Sequence, residues 1–420
     1  MTTQALGGFS GGKSGRLAEY HAIALVSAAH FVNHFQALVL PPLFPFLKAQ
    51  LGIDYIQLGL ALTVVNVTAV AAQLPVGFLV DRLGSRRMLV IALTLAAAAF
   101  IGFGLAPSYP RLLVAMAVLG LANSVFHPAD YALLSARIAP VRLGRAFSIH
   151  TFSGFLGNAV APVVMLAVVG FVGLGAGLIA AGAMALVIAA PLALSRSVDN
   201  LPAPGAAARK SDAGPGGLKG LTSILTPTIL GLTGFFALLS LSGSGISNFS
   251  VVALHGAYGT SLSIANLALT LYLAAQAFGV LAGGFVADLT KRHAEVAAIG
   301  YAINACVVLV IGITALGTAP LLIAMTTAGF LGGLIMPSRD MLVRAAAPPG
   351  AIGRTFGVVT TGFNIAGTIG PLMFGFIMDR GLPRWVFLGS VVIMVITAGV
   401  AWVGDRAAAR RGAALPAAAG

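Results

Sequence analysis

The sequence is poor in charged residues and almost lacks cysteine. Only 8% of its 420 residues are charged, whereas a soluble globular domain carries about 25%. Because so few charges cannot cover a surface that faces water, the composition excludes a soluble enzyme and a disordered chain. The single cysteine, Cys306, cannot form an internal disulfide, which excludes a disulfide-stapled secreted domain.

Several functional signatures are also missing. The chain has no glycine-rich P-loop, so we do not expect it to use ATP directly. It has no recognisable nucleophile triad or pair of catalytic carboxylates, and we predict neither an enzyme nor a cofactor site. Residues 1–20 contain no apolar core, so we do not expect them to be a cleaved signal peptide. The net charge of +13 is typical of basic cytoplasmic loops in a membrane protein, and we expect no nucleic-acid partner.

What the sequence has in excess is hydrophobic side chains, at 58% of the residues. The hydrocarbon core of a bilayer is about 30 Å thick, so a helix needs roughly 20 apolar residues to cross it. Helices satisfy their own backbone hydrogen bonds in lipid, whereas an open sheet does not. We therefore predict an all-α integral membrane protein with twelve transmembrane helices. Spans 1 to 12 cover residues 21–47, 57–80, 88–106, 111–136, 146–169, 171–194, 224–254, 262–287, 294–316, 319–345, 353–378 and 384–404.

The loops between these spans differ strongly in their basic residues. One side of the membrane receives most of the lysines and arginines, whereas the other side receives only Lys48, Arg111, Arg380 and Arg384. Loops rich in Lys and Arg stay in the cytoplasm. We therefore predict that both termini are cytoplasmic.

One long connection divides the spans into two groups. Residues 195–223 are rich in proline and glycine and cannot bury a core, so we predict a cytoplasmic linker there. The linker separates an N-terminal six-helix bundle, 21–194, from a C-terminal six-helix bundle, 224–404. Residues 1–20 and 405–420 are predicted cytoplasmic tails.

The two bundles resemble each other in sequence. The run from Gly77 to Asp81 recurs as Gly284 to Asp288, 207 residues later, and a second block that starts at Pro128 recurs 209 residues later. Two blocks with nearly the same offset indicate a duplicated unit. Parallel six-helix repeats are typical of secondary transporters whose substrate site lies between the halves near the bilayer midplane.

The loop between spans 2 and 3 carries a motif of glycines, one acid and three arginines, and the second half carries a shorter copy. The residues are Gly77, Asp81, Arg82, Gly84, Arg86 and Arg87, with Asp288, Lys291 and Arg292 in the copy. With this motif the chain resembles the major facilitator superfamily over nearly its whole length. The resemblance implies the major facilitator fold, two pseudo-symmetric six-helix bundles. It also implies that the motif residues gate transport, pairing with neighbouring helix ends in one conformation and releasing them in another.

Two further runs narrow the resemblance. They are His30 to Gln36 in span 1 and Ser124-Val-Phe-His127-Pro128 in span 4. Both are similar to runs in the fosmidomycin-resistance group of drug exporters. This resemblance implies export of small organic molecules through a central cavity lined by spans 1, 4, 7 and 10.

Polar side chains at membrane depth are functional candidates because an ionisable group there costs about 3 kcal/mol. In span 1, His30, Asn33 and His34 share one helix face and are predicted to line the cavity. Two histidines four residues apart can also bind a metal, but the sequence identifies no third ligand, so we predict no metal site. In span 7, Asn248 lies among serines that either pack the helix tightly or bind substrate. His150 in span 5 is predicted to be a packing residue.

Two charged residues of opposite sign occupy equivalent positions of the repeat, Asp130 in span 4 and Arg339 in span 10. We hypothesise that they pair as a cytoplasmic gate when the pathway opens outward; alternatively, each pairs with a neighbouring helix end. His127 lies one helical turn from Asp130, and the two could relay a proton. Alternatively, His127 is a neutral histidine that bonds the carbonyl left free by Pro128.

These features predict a secondary active transporter in the inner membrane of a bacterial-type cell. Its predicted activity is proton-coupled efflux of small organic molecules or drugs by alternating access. Its partners would be a small-molecule substrate, protons and membrane lipid, and a monomer would suffice. Two alternatives stay open: proton-coupled uptake of an organic anion, for which Arg339 would be the counter-charge, and a membrane sensor of the same fold that does not transport.

Overall fold

The computed structural model describes residues 13–195, 225–348 and 352–413. These residues are helical apart from short turns, and no strand occurs among them. The all-α fold class is therefore confirmed. Apart from Ser195, the predicted linker lies outside the described residues, as do the outer parts of both predicted tails.

The first half contains spans 1 to 6. A 3-10 turn, Pro41–Leu43, interrupts span 1, which the sequence predicted as one continuous helix. Three prolines, Pro41, Pro42 and Pro45, lack the backbone N–H that a continuous α-helix needs, and this explains the interruption. The helices are Lys13–Ala37, Phe44–Leu51, Tyr55–Leu83, Ser85–Leu105, Tyr109–Arg137 and Pro140–Leu194.

The last of these helices contains both span 5 and span 6. At 55 residues it is too long for one crossing, and Gly173 divides it with φ 80° and ψ 166°. Glycine adopts a positive φ without steric cost, so the chain can bend at this position. Eleven helical segments are long and apolar enough to cross a membrane. Dividing the longest segment at Gly173 yields the twelve predicted spans.

The second half contains spans 7 to 12. Span 10 consists of two helices that meet at Ile335. Pro337 lies in the first turn of the second helix, where its missing N–H is tolerated. The helices are Pro227–Tyr258, Leu262–Leu289, His293–Ile313, Thr318–Leu334, Met336–Ala346, Ile352–Asp379 and Arg384–Ala413.

Helix packing repeats from one half to the other. In the first half span 1 packs on span 5, span 2 on span 4 and span 3 on span 6; in the second half span 7 packs on span 11, span 8 on span 10 and span 9 on span 12. Glycines allow this close approach. A Cβ at Gly157 would collide with the carbonyl oxygen of Phe31, and a Cβ at Gly329 with that of Tyr272. The packing is the pseudo-symmetric arrangement that the sequence repeat predicts.

The two halves are in contact along spans 5 and 8, where the ring centres of Phe152 and Phe278 lie 6.2 Å apart, and along spans 2 and 11. We call the face where spans 1 and 7 begin the terminal face, and the opposite face the distal face. At the distal face the Asp379 carboxylate accepts hydrogen bonds from the backbone N–H groups of Tyr55 at 2.9 Å and Ile56 at 2.7 Å. Lys48 Nζ lies 3.8 Å from the same carboxylate. The end of span 11 thus caps the start of span 2 across the halves.

Contacts between spans 2 and 11 continue from the distal face to mid-membrane, where the Thr63 hydroxyl donates to the Thr368 carbonyl at 2.8 Å. Nearer the terminal face, at Gly77 and Gly357, apart from the local helix, no described atom lies within 4 Å of the place where a Cβ would stand. The described hydrogen bonds along this pair of helices therefore lie at the distal face and at mid-membrane.

Candidate functional site

A central cavity of about 600 Å³ lies between the two halves. Most of its polar lining consists of amides and hydroxyls, which can accept hydrogen bonds from a substrate and donate hydrogen bonds to it. Among the lining residues Arg339 is the single charged side chain, and no aspartate or glutamate is present. The polar lining includes Gln36, Asn66, Asn123, Ser244, Asn248, Tyr272, Gln276, Tyr301, Asn304 and Asn364.

Arg339 is held in the cavity wall by three contacts. Its Nε donates to Asp340 Oδ1 at 2.9 Å. Its guanidinium carbon lies 4.9 Å from the ring centre of Phe236 and 5.1 Å from that of Phe363. Two aromatic faces stabilise the cation and fix its plane. Its side chain is 11% exposed, whereas the Asp340 side chain is 46% exposed.

The structure does not pair Arg339 with Asp130, the partner that the gate hypothesis assigned to it. Arg339 contacts its chain neighbour Asp340, and Asp130 contacts histidines of its own half. The reason is the direction of the two side chains. Arg339 faces the space between the halves, whereas Asp130 faces spans 1 and 5 and is fully buried. In this conformation Arg339 pairs with Asp340 on its own helix, which is neither the gate pairing nor a pairing with a neighbouring helix end. The gate hypothesis concerns the outward-open conformation and stays a prediction.

Asp130 and four histidines of the first half form a group that we call the histidine cluster. Its members are His30 and His34 of span 1, His127 and Asp130 of span 4, and His150 of span 5. Asp130 Oδ2 lies 3.1 Å from His30 Nδ1 and 3.6 Å from His150 Nε2. The ring centre of His30 lies 3.8 Å from that of His150, 4.5 Å from that of His34 and 5.5 Å from that of His127. The cluster therefore centres on His30.

Span 5 reaches this cluster through a glycine. A Cβ at Gly154 would lie 2.8 Å from His30 Nε2 and 3.0 Å from His34 Cδ2. The absence of a side chain there makes room for both rings. The Asn158 side-chain nitrogen lies 3.1 Å from His34 Nδ1, so Asn158 donates to His34 and orients its ring.

The polar stripe on span 1 lies behind the cavity wall rather than in it. His30, Asn33 and His34 are absent from the cavity lining. Asn33 connects the two regions, because its amide donates to Asn123 Oδ1 at 3.0 Å and Asn123 does line the cavity. His127 is exposed, and the hydrogen-bond partner of Asp130 is His30. Of the residues predicted for the pathway, the cavity lining contains Asn248 and Arg339.

Three donor atoms of the histidine cluster could hold a metal ion. They are His30 Nδ1, Asp130 Oδ2 and His150 Nε2, which lie within 4.8 Å of one another and are all buried. The sequence analysis identified no third ligand for the span 1 histidines because His150 is far away along the chain and carries no local motif. Only the packing of span 5 on span 1 brings it into reach.

The predicted gating motif lies at the terminal face, where span 2 ends and span 3 begins. The chain reverses direction between the two helices at Gly84, whose φ of 88° favours glycine. Arg86 Nη1 donates to the backbone carbonyl of Ser195, at the end of span 6, at 2.9 Å. Asp81, Arg82 and Arg87 are exposed.

The copy of the motif in the second half lies at the end of span 8. Asp288, Lys291 and Arg292 are exposed there. Arg292 Nη1 lies 3.5 Å from the Glu295 carboxylate in the next helix. The two copies therefore occupy equivalent positions in the two halves.

Comparison with known sequences gives a match along most of the chain. The profile of the Major Facilitator Superfamily matches residues 26–247 and 232–417. The chain is 23% identical over 375 residues to the Fosmidomycin resistance protein of Escherichia coli (strain K12), which covers 85% of this chain and 86% of that protein. It is 27% identical over 145 residues to the uncharacterized MFS-type transporter YfnC of Bacillus subtilis (strain 168). That alignment spans only 34% of this chain and 35% of the relative.

Among solved structures, the chain is similar to a bacterial homolog of the human lysosomal transporter Spinster in an inward-facing and unoccupied conformation. The TM-score is 0.78 at 17% sequence identity, and the match covers 94% of this chain and 98% of that one. At this identity the similarity concerns the fold, and it agrees with the pseudo-symmetric packing of the two halves.

Proposed function

We propose that the chain, which belongs to the Major Facilitator Superfamily, exports small organic molecules. The proposed mechanism is exchange for protons by alternating access. The observation that carries this proposal is the polar cavity between the two halves. A site shared by both halves can face one side of the membrane and then the other as the halves move. As a membrane-embedded member of the superfamily the chain belongs to a family of transporters.

The proposed direction of transport is outward. The terminal face carries the basic ends of the spans, and we propose that it is cytoplasmic in an inner membrane, with both termini inside. The described hydrogen bonds between spans 2 and 11 lie at the distal face and at mid-membrane, so we propose that a cytoplasmic molecule enters the cavity from the terminal face. The name of the Fosmidomycin resistance protein is consistent with export.

The proposed substrate carries an acidic group. Arg339 is the charged residue among the described residues of the cavity lining. Its ion-pair partner Asp340 binds the guanidinium through Nε and is not one of those lining residues. A guanidinium binds carboxylate or phosphonate oxygens through two parallel hydrogen bonds. The amides around it can bind the neutral parts of the same molecule. The same observation would also favour the second candidate, uptake of an organic anion.

Protons are proposed as the coupling ion because the sequence offers no P-loop for ATP. Asp130 and His127 as the proton-carrying pair stay a prediction, and a metal ion bound to Asp130 would exclude that role. The part of the proposal that concerns the cavity does not depend on them, so the test measures proton movement directly.

Inside-out vesicles with an acidic interior provide that test. A pH-sensitive dye would follow the gradient while fosmidomycin, other phosphonates, organic acids and cationic drugs are added in turn. We expect anionic compounds to release protons from vesicles with the wild-type protein. Arg339→Gln should lower this response at least tenfold, because a charged hydrogen-bonding group is worth about 1.5–3 kcal/mol.

Arg380→Gln is the matched control. Arg380 also stacks on a phenylalanine, with its guanidinium carbon 4.7 Å from the ring centre of Phe376, but it lies outside the cavity lining. Its replacement should leave the response unchanged. Responses to cationic drugs alone would contradict an acidic substrate. Uptake of the anion into right-side-out vesicles with an acidic exterior would favour the second candidate, and no response from folded protein would refute proton exchange.

A further inference from the structure

The histidine cluster contains buried polar atoms for which the described residues supply no hydrogen-bond partner. His150 is 1% exposed, and neither of its ring nitrogens has a hydrogen-bond partner. Asp130 is 0% exposed, and its Oδ1 also has none. Buried polar groups in native proteins are nearly always hydrogen-bonded. Unpaired atoms on two facing side chains therefore indicate a ligand that the chain does not itself provide.

The distances between the donor atoms match those around a metal ion. Asp130 Oδ2 is 3.1 Å from His30 Nδ1 and 3.6 Å from His150 Nε2, and all three atoms lie within 4.8 Å of one another. Tetrahedral zinc binds nitrogen and oxygen at about 2.0–2.1 Å, which places its donor atoms about 3.4 Å apart.

The charge of the cluster also calls for a cation. The ion-pair partners that the described residues give Asp130 are His30 and His150, and no lysine or arginine is among them. A fully buried carboxylate is costly unless a positive charge compensates it. A divalent ion would supply that charge and use the free ring nitrogen of His150 at the same time.

We propose that His30 Nδ1, Asp130 Oδ2 and His150 Nε2 bind a divalent transition-metal ion of the zinc class. Two imidazoles and one carboxylate form a donor set that zinc and its neighbours accept, with one position left for water. The site ties spans 1, 4 and 5 together inside the first half. The sequence predicts no metal site because it shows no third ligand beside the histidines of span 1. The structure brings His150 into that position.

The neighbouring residues are arranged to support these ligands. Gly154 leaves the space that the His30 ring occupies, since a Cβ there would lie 2.8 Å from its Nε2. Asn158 orients the ring of His34, which lies against that of His30. Groups that orient metal ligands commonly change affinity by 10–100-fold when removed. His127 is exposed, and its ring centre lies 5.5 Å from that of His30.

Metal binding can be measured on the full chain, purified in detergent and stripped with EDTA. Zinc would be titrated by calorimetry, and zinc content determined after gel filtration. We expect one zinc ion per chain, with at least tenfold weaker binding in His150→Ala and Asp130→Asn. Cobalt in place of zinc should give the visible absorption of a four-coordinate nitrogen–oxygen site. His255→Ala is the control, because that ring contacts the Thr260 carbonyl, away from the cluster, and it should bind zinc as the wild type does.

Gly154→Ala keeps all three ligands and tests the geometry itself. It should weaken zinc binding because the added methyl group displaces the His30 ring. Zinc should also raise the thermal unfolding midpoint of the wild type but not that of folded His150→Ala. No stoichiometric zinc in the wild type, or binding that survives both His150→Ala and Asp130→Asn, would overturn the proposal. The measurement needs neither substrate nor a pH gradient, so its failure and a failure of the proposed export are separate results.

Discussion

The central cavity and the histidine cluster differ in both charge and location. The cavity lies between the halves, and its charged residue is the cation Arg339. The cluster lies inside the first half, and its charged residue is the buried acid Asp130. The sequence repeat places these two residues at equivalent positions, 209 residues apart. The sequence repeat therefore predicts equivalent positions for the two residues in their helices, but it does not predict which side chains surround them.

The difference assigns separate tasks to the two regions. In the proposed alternating access, side chains of the cavity would exchange neighbours, because their surroundings belong to both halves. The cluster would keep its neighbours, since spans 1, 4 and 5 belong to one half. A substrate site that changes its access belongs in the first region, and a ligand that stiffens one half belongs in the second. Substitutions can separate these tasks.

The largest effect on the cluster should come from Gly157→Ala. The added Cβ would collide with the Phe31 carbonyl oxygen and lie 3.0 Å from the Phe35 nitrogen, so spans 1 and 5 must move apart. Overpacking of this kind costs about 1–3 kcal/mol. We expect a lower thermal unfolding midpoint in detergent together with weaker zinc binding, since span 5 carries His150.

The control for this change lies in the same helix. At Gly144 no described atom beyond the local helix lies within 4 Å of a Cβ position. Gly144→Ala should therefore keep or raise stability, since alanine favours a helix by about 0.5–1 kcal/mol over glycine. Equal destabilisation by both changes would show that the close contact of spans 1 and 5 is not what holds the cluster.

The cavity should be more sensitive to Asp379→Ala, which removes the cap that joins the halves at the distal face. Two charge-assisted bonds to Tyr55 and Ile56 would be lost, and partial exposure reduces their combined value to about 1–2 kcal/mol. The distal face should open more often. A cysteine at Leu40, in a Cys306→Ser background, should react about tenfold faster with a membrane-impermeant maleimide in right-side-out vesicles.

Asp54 offers a matched control for the cap. Its carboxylate also binds the start of span 2, accepting from the backbone N–H of Gln57 at 2.8 Å, but it belongs to the same half. Asp54→Ala should destabilise that helix end without changing the reactivity of the cysteine. Zinc binding should be unchanged in both variants, because neither residue touches the cluster. An Asp54→Ala effect as large as that of Asp379→Ala would rule out the cap as the joint between halves.

Most of the fold could be predicted from the sequence, because a helix that crosses lipid must be apolar over a fixed length. Even the division near Gly173 lay close to the predicted gap between spans 5 and 6. The site was harder to predict, since hydropathy gives depth but not rotation. The stripe of His30, Asn33 and His34 turned out to face spans 4 and 5. Glycines at the contacts between helices set this orientation of span 1, and they contact residues that are distant along the chain.

The smallest expected effect concerns Asn33, which links the two regions through its hydrogen bond to Asn123 at 3.0 Å. If that bond transmits the state of the cluster to the cavity wall, Asn33→Leu and Asn123→Leu should each slow transport about two- to tenfold, the value of one hydrogen bond of about 0.5–1.5 kcal/mol. The double variant should then be no slower than the worse single variant, because both changes break the same bond. Transport rates in the pH-gradient assay would measure this, with zinc affinity as a second readout. Fully additive losses in transport rate would mean that the two asparagines act independently. The cluster would then not affect transport through this hydrogen bond.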